Sequence, residues 1–298
     1  MNPLNRFIST TLPLVPRPIV GRISRRYIAG SGLDQAVRCI AELNAAGFTA
    51  TVDILGEHTR DLRQASAATD AYVTLLDRIA AEGLDSNISV KLSQLGLLID
   101  SAACLEAMRR LCRQAAGHGN FIRIDMEDAT VTDATLDLHR ALRADHPAVG
   151  VVLQSCLRRS RADARRLAAE RTNVRVVKGI YLEPYAIAYH DREIVRRSFV
   201  ELVEILLEAG CYVGIATHDE IIVYECLALI DRLGLAPDRY EFQMLLGVRQ
   251  DLRQVIRDAG HRLRVYVPFG DDWYAYSLRR LKENPEIAGH VLRNLFRA

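Results

Sequence analysis

Lysine is nearly absent from this chain: of 39 basic residues only Lys91, Lys178 and Lys282 are lysines. Arginine serves the general surface, so a lysine at a special position is less easily dismissed as background. An excess of one charge is lacking too. The 39 basic residues face 37 acidic ones, a formal charge of +2 over 298 residues, too little for the basic field that nucleic-acid binding needs. Cysteine is sparse and unpatterned. Cys39, Cys104, Cys112, Cys156, Cys211 and Cys226 include no C-x-x-C, which points to reduced core thiols rather than a disulfide framework or a zinc site. No run approaches the roughly 18 apolar residues of a spanning helix. Pro13, Pro16 and Pro18 interrupt the N-terminus where a leader would carry its apolar core. These absences predict a soluble, cytoplasmic protein, attached at most to the inner face of a membrane.

What is present is material for a large core, with 49% hydrophobic and 26% charged residues. Short β-rich runs alternate with longer amphipathic stretches, the pattern of parallel strands and crossover helices. Strands are expected near 48–54, 88–92, 120–125, 149–153, 174–178, 211–216, 240–244 and 262–267. Helices are expected at 59–82, 101–117, 131–145, 158–170, 191–209, 219–234, 248–259 and 272–283, flanked by one at 33–46 and one at 287–296. Eight such alternations predict an α/β fold, a (βα)8 TIM-type barrel with an extra N-terminal helix. An open doubly wound sheet is the competing solution. Against it, no G-x-G-x-x-G follows a predicted strand, and Gly30-Ser31-Gly32 has no convincing strand before it. Nothing divides the chain, so residues 1–298 are read as one domain: an arm over 1–32, then the barrel and flanking helices over 33–298.

Chemistry in such a barrel sits at the C-terminal ends of its strands. Those positions form a polar ring: Asp53, Lys91, Asp125 followed by Met126 and Glu127, Gln154, Lys178, Thr217 with His218, Gln243 and Tyr266. Lys91 and Asp125 close neighbouring strands about 5 Å apart. They read either as an ion pair that neutralises a half-buried lysine or as a hold on substrate. Arg175 and Lys178 put two cations at the end of strand five, before Gly179, where a ligand can approach the backbone. They suit an anionic cofactor, or pairs with carboxylates of adjacent strands. Thr217 is a reasonable N-cap for the next helix, with Asp219 and Glu220 in its first turn. Tyr276, Arg279, Arg280 and Glu283 fall at i, i+3, i+4 and i+7, on one helix face. That face is an exposed stripe, or a guanidinium fork for a carboxylate with Glu283 orienting it.

Taken in order, VKLSQLG (90–96), RIDMED (123–128), VLQS (152–155), RVVKGIY (175–181), ATHDE (216–220), EFQMLLG (241–247), RVYVPFG (264–270) and Y-x-x-R-R-x-x-E (276–283) resemble the proline dehydrogenase family. The resemblance runs from about Asp53 to Glu283. It implies a monofunctional, FAD-dependent barrel that oxidises L-proline to Δ1-pyrroline-5-carboxylate, the first step of proline catabolism, with electrons passing to a membrane quinone. It places the last barrel helix over the mouth, with Arg279 and Arg280 on the proline carboxylate and Lys91, Tyr266, Tyr276 and Glu283 completing the pocket. Asp125 and Arg175 are tied to catalysis. FAD is expected against Met126, Gln154, Arg175, Lys178, Gly179, Ile180, Thr217 and His218. No metal is implied. Hydride loss requires a neutral amine, so rates are expected to rise with pH.

Two details refine the resemblance. The turn after strand five commonly reads K-G-A-Y in the family, whereas Ile180 stands here, and a bulkier side chain would alter flavin packing or oxygen access. Tyr266 favours proline over 4-hydroxyproline, because hydroxyproline-preferring members carry a smaller residue there. At this length no aldehyde dehydrogenase half is expected, so a separate Δ1-pyrroline-5-carboxylate dehydrogenase would take the product. The competing reading from residues alone is a metal-dependent isomerase or hydrolase on the same barrel, with Asp53, Glu57, Asp125, Glu127 and His218 as ligands. A Schiff-base aldolase using Lys178 and a non-enzymatic barrel are further alternatives.

Overall fold

Each β-rich run of the sequence becomes a strand, and the first seven are each followed by a helix where an amphipathic stretch was expected. A computed structural model describes residues 26–56, 59–274 and 276–277. Its elements run α1 (Leu33–Ala45), β1 (Thr49–Ile54), α2 (Leu62–Ala81), β2 (Ser86–Val90), α3 (Ser101–Gly117), β3 (Ile122–Ile124), α4 (Thr132–Arg143), β4 (Val149–Gln154), α5 (Ser160–Ala169), β5 (Val174–Val177), α6 (Arg192–Glu208), β6 (Val213–Ala216), α7 (Glu220–Leu233), β7 (Tyr240–Leu245), α8 (Gln250–Asp258) and β8 (Leu263–Phe269). The strands close in sequence order into a barrel, and every neighbouring pair is parallel. The expected (βα)8 architecture is the observed one.

Strand alternation divides the barrel wall into two chemistries. Outward positions such as Val52, Ile88, Val90, Ile124, Val151, Val176, Ile215, Phe242 and Val265 are buried against the apolar faces of the helices and form the core. Inward positions are polar to an unusual degree: Thr51, Asp53, Ser89, Arg123, Gln154, Arg175, Glu241, Gln243 and Arg264 are all buried. Barrel interiors are more often filled by branched aliphatic side chains. Two strand glycines make room for these long polar groups. A Cβ on Gly150 would stand 2.5 Å from Arg123 Nη1, and one on Gly214 2.6 Å from Gln243 Nε2.

Aspartates start several of the helices. Asp61, Asp100, Asp191 and Asp219 cap α2, α3, α6 and α7 through hydrogen bonds from first-turn N–H groups, each worth about 1 kcal/mol. The cap of α7 is therefore Asp219 rather than Thr217. Thr217 instead accepts from Asp219 N at 3.1 Å, bracing the cap from the strand side. β2 begins two residues earlier than the 88–92 expected, because Ser86 and Asn87 read as loop residues but occupy strand positions. Lys91 consequently lies just beyond the strand.

α1 packs against both β1 and β8, so it covers the barrel wall where these two strands meet. The chain before it reaches the mouth. Tyr27 and Ile28 are buried with Leu55, beside Val248, Trp273 and Tyr276. Ala29 N donates to Pro268 O at 2.9 Å, and Gly270 N to Gly30 O at 3.0 Å. Of the helix expected at 272–283, residues 273–274 and 276–277 are helical. Its remainder, with Arg279, Arg280 and Glu283, lies outside the described residues, as does the helix expected at 287–296.

Candidate active site

The ends of β1, β2, β3, β5 and β8 bring five charged or phenolic side chains together inside the barrel mouth. Arg175, buried on β5, reaches across the barrel to donate to Asp125 Oδ1 at 2.7 Å and to Ser89 Oγ at 3.1 Å. Ser89 in turn donates to Asp125 Oδ1 at 2.8 Å, and the Tyr266 hydroxyl to Asp125 Oδ2 at 2.9 Å. The Arg175 guanidinium also stands 5.4 Å from the Tyr266 ring centroid, within cation–π range. Three donors from three strands thus converge on one carboxylate, fixing both its oxygens. Burial raises the Tyr266 phenol well above the ordinary tyrosine range, and the charges of Asp125 and Asp53 raise it further. It remains a donor.

Beside this cluster, Lys91 Nζ meets Asp53 Oδ2 at 2.7 Å. Asp53 is fully enclosed while Lys91 keeps a little exposure toward the mouth. The sequence paired Lys91 with Asp125. The structure corrects this: Asp125 belongs to Arg175, and Lys91 turns to the neighbouring strand on its other side. Burial pushes the Asp53 carboxyl above its usual range and outweighs the attraction of Lys91.

The residues expected against a flavin line the ends of β3 to β6. Met126 is buried just past β3. Gln154 donates from Nε2 to Glu127 O at 2.9 Å, and Ser93 N donates to the Glu127 carboxylate at 2.9 Å, so Glu127 ties the loop after β2 to the end of β4. Gly179 has φ +98°, and a Cβ there would collide with Cys156 Sγ; only glycine lets the turn lie so close to the wall. Ile180 follows, about half exposed on the mouth side.

Lys178 bonds the Asp219 carboxylate, which also accepts from Arg196 Nε at 2.8 Å. Burial acts to raise Asp219, but Arg196 and Lys178 together hold it down at about 2. Of the two cations at the end of β5, Arg175 therefore serves the interior cluster and Lys178 the rim. His218 does not face solvent as a bare helix start would. Its Nε2 accepts from Leu245 N at 2.8 Å, which fixes the ring against the end of β7. A buried guanidinium, an apolar thioether and a turn of open backbone along adjoining strand ends fit the mixed demands of a flavin.

Sequence reasoning placed Lys91, Asp125, Arg175 and Tyr266 in one site, and the structure joins them. Tyr276 stands at the same end, half-buried in the cluster of Tyr27, Leu55 and Trp273. The sequence did not single out Ser89 or Tyr72. Ser89 was legible from the alternation of β2, but Tyr72 sits on α2 and its hydroxyl reaches through the wall. Among the described residues no group of His, Cys, Asp and Glu could hold a metal ion, and no helix is long and apolar enough to cross a membrane.

A closed parallel barrel with a charged cluster at its C-terminal strand ends defines a barrel enzyme with one site at the mouth. The comparisons make this specific. Residues 36–293 match the model of the family described as Proline dehydrogenase, and the chain belongs to that family. It is 36% identical to "Proline dehydrogenase" of Deinococcus radiodurans over 96% of both chains. Against "Proline dehydrogenase 1" of Bacillus subtilis it is 32% identical over 92% of this chain and 91% of the relative. Among solved structures it resembles proline utilization A (PutA) from Bdellovibrio bacteriovorus inactivated by N-propargylglycine, with a TM-score of 0.82 at 26% identity over 88% of this chain. The chain spans about a third of that protein's length, 32%. Family membership gives the metal-dependent isomerase or hydrolase reading no support.

Proposed function

We propose that the chain is a monofunctional oxidoreductase that converts L-proline to Δ1-pyrroline-5-carboxylate with FAD as its flavin. The observation that carries this reading is the Arg175–Asp125–Tyr266 cluster beside the Lys91–Asp53 pair, in a member of the proline dehydrogenase family. A bound flavin supplies the hydride acceptor. Met126, Gln154, Arg175, the turn Lys178–Ile180, Thr217 and His218 would hold it. Arg279 and Arg280 would clamp the substrate carboxylate, with Lys91, Tyr266, Tyr276 and Glu283 shaping the rest of the pocket. Fixing both partners in one geometry contributes through orientation.

The protein's own chemistry is electrostatic. Arg175 is a buried cation in a low-dielectric site, and such a charge favours developing negative charge beside it. Its carboxylate partner, Asp125, is held by two further donors, which steadies the guanidinium. Substrate must shed a proton from its ring nitrogen before oxidation, which makes the rate rise with pH. Electrons would leave to a quinone at the membrane surface, and a separate Δ1-pyrroline-5-carboxylate dehydrogenase would take the product. The arm 1–32 and the barrel 33–298 act as one domain in this reading.

The test is the visible spectrum of the FAD-reconstituted protein, without oxygen, before and after L-proline. Rapid bleaching by L-proline and slower bleaching by 4-hydroxyproline is the expected result. A bound flavin that proline leaves oxidised would move the substrate elsewhere.

A further inference from the structure

β1 and β2 keep ladder register only as far as Val52 and Ile88, then part toward the mouth. The Tyr72 hydroxyl enters the gap from α2. It accepts from Ile54 N at 3.3 Å, and its one proton has the Ser89 carbonyl at 3.1 Å and Asp53 Oδ1 and Gln94 Oε1 at 3.2 Å as acceptors. The hydroxyl thus replaces a missing rung of the sheet and touches Asp53 from behind. Tyr72 itself is completely buried, so it fixes one carboxylate oxygen from a rigid support. The other oxygen, Oδ2, faces the barrel and holds Lys91 Nζ at 2.7 Å.

We propose that Asp53, backed by Tyr72, is a positioning residue for proline oxidation: it holds the Lys91 ammonium at the mouth and sets the pH range in which the site accepts substrate. This inference rests on the proposed function above. The carboxylate is buried and Lys91 stands between it and the mouth, so Asp53 acts through Lys91. Among the described residues the charged and titratable groups facing Asp53 are Lys91 from the end of β2, Tyr72 from α2, Tyr266 from β8 and Asp125 from the end of β3. Asp125 is already engaged by Arg175. Removing the Asp53 charge therefore withdraws a counter-charge that stands 2.7 Å from the ammonium.

The experiment compares wild type with Asp53→Asn, Lys91→Met, the double variant and Tyr72→Phe, each FAD-loaded. It follows anaerobic bleaching by L-proline from pH 6 to 10, where those bounds are about the range of interest. Asp53→Asn should lower kcat/KM on the order of 10²-fold, the cost of misplacing a positioning group. Its alkaline limb should move down by about one unit or more, because the ammonium deprotonates more readily once an opposite charge at this range is gone. The double variant should be no slower than Lys91→Met alone, since residues acting as one unit are not additive. Tyr72→Phe keeps the charge and should lose rate without moving the limb. Additive losses in the double variant would overturn the inference, and so would an unmoved limb in Asp53→Asn. A wild type that L-proline does not bleach would overturn the proposed function and this inference with it.

Discussion

Two layers of buried charge lie inside this barrel, one below the other. The upper layer is Asp53, Lys91, Asp125, Arg175 and Tyr266. The lower is Arg123, Glu241, Gln243 and Arg264, where Arg264 Nε donates to Glu241 Oε1 at 2.8 Å and Gln243 Nε2 to the same oxygen at 2.6 Å. Arg123 donates instead to the carbonyls of Val151 at 3.0 Å and Asn173 at 2.9 Å, and no carboxylate pairs with it among the described residues. Burial, reinforced by the nearby Arg175, brings the Arg123 guanidinium down to about 9. Charge content therefore does not distinguish a site from a plug. Position does, because the upper layer's groups reach the strand ends while the lower layer is sealed beneath them. The two carboxylates also differ in direction. Burial acts to raise both, yet Arg264 and the other donors hold Glu241 below its usual range, whereas Asp53 ends above it.

Removing one guanidinium from each layer breaks the comparison most severely. Arg175→Met should slow anaerobic flavin bleaching by L-proline roughly 10²–10³-fold, the usual consequence of losing one preorganised electrostatic group. Arg264→Met should instead cost about 3 kcal/mol of stability in urea unfolding, because Glu241 is left as an unpaired buried charge. Turnover per folded, flavin-loaded molecule should change less than about twofold, as for a substitution remote from the chemistry. If Arg264→Met were instead as slow as Arg175→Met, the lower layer would belong to the site.

The fold was legible because strand and helix periods alternate cleanly and no motif contradicts them. The site was legible in part because one polar residue closes each strand, and a barrel gathers strand ends by construction. Partners were harder to read. Lys91 has a carboxylate on either side, Asp53 on β1 and Asp125 on β3, and sequence offers no way to choose between them. The choice follows from Arg175 reaching across the barrel from β5, a contact between residues 50 positions apart. Tyr72 was invisible for a related reason: on an amphipathic helix a tyrosine reads as core, and its ring is core, but its hydroxyl fills a gap in the sheet that only the strand register reveals. Of the lower layer the sequence singled out Gln243, and as a strand-end residue; Arg123, Glu241 and Arg264 escaped notice because inward charged residues in strands look like surface residues unless the barrel closes. Gly150 and Gly214, small residues facing Arg123 and Gln243, were its available trace.

Opposite carboxylate directions imply opposite pH linkages, which sharpens the comparison at a smaller energy. Glu241 titrates lower in the folded chain than in the unfolded one, so its charge stabilises above the ordinary glutamate range and that contribution is lost as pH falls through its folded value. Glu241→Gln should therefore be less stable than wild type at pH 7, where the deficit is about 1–3 kcal/mol for a lost charged hydrogen bond, and the gap should close in acid. Asp53 titrates higher when folded, so its burial as an anion is unfavourable above the ordinary aspartate range. Stability of Asp53→Asn relative to wild type should improve as pH rises from about 4 toward neutrality. Urea unfolding at several pH values measures both. Parallel curves for the two variants would sink the assignment of opposite directions.

The smallest test uses two tyrosine hydroxyls at opposite ends of the barrel. Tyr266 OH donates to Asp125 Oδ2 at 2.9 Å in the upper layer, and Tyr240 OH pairs with His261 Nδ1 at 2.8 Å near the N-terminal ends of the strands. Each Tyr→Phe change removes one hydrogen bond of similar length, worth about 1 kcal/mol. Chemistry alone would make them equivalent. If layer position decides function, Tyr240→Phe should lower the urea midpoint modestly and leave proline oxidation unchanged. Tyr266→Phe frees one oxygen of the carboxylate that steadies Arg175, so it should reduce kcat/KM about tenfold, the kinetic equivalent of that single bond. Equal kinetics for the two variants would mean that the Asp125 cluster is scaffolding, and that whatever reads the substrate lies above it at the mouth.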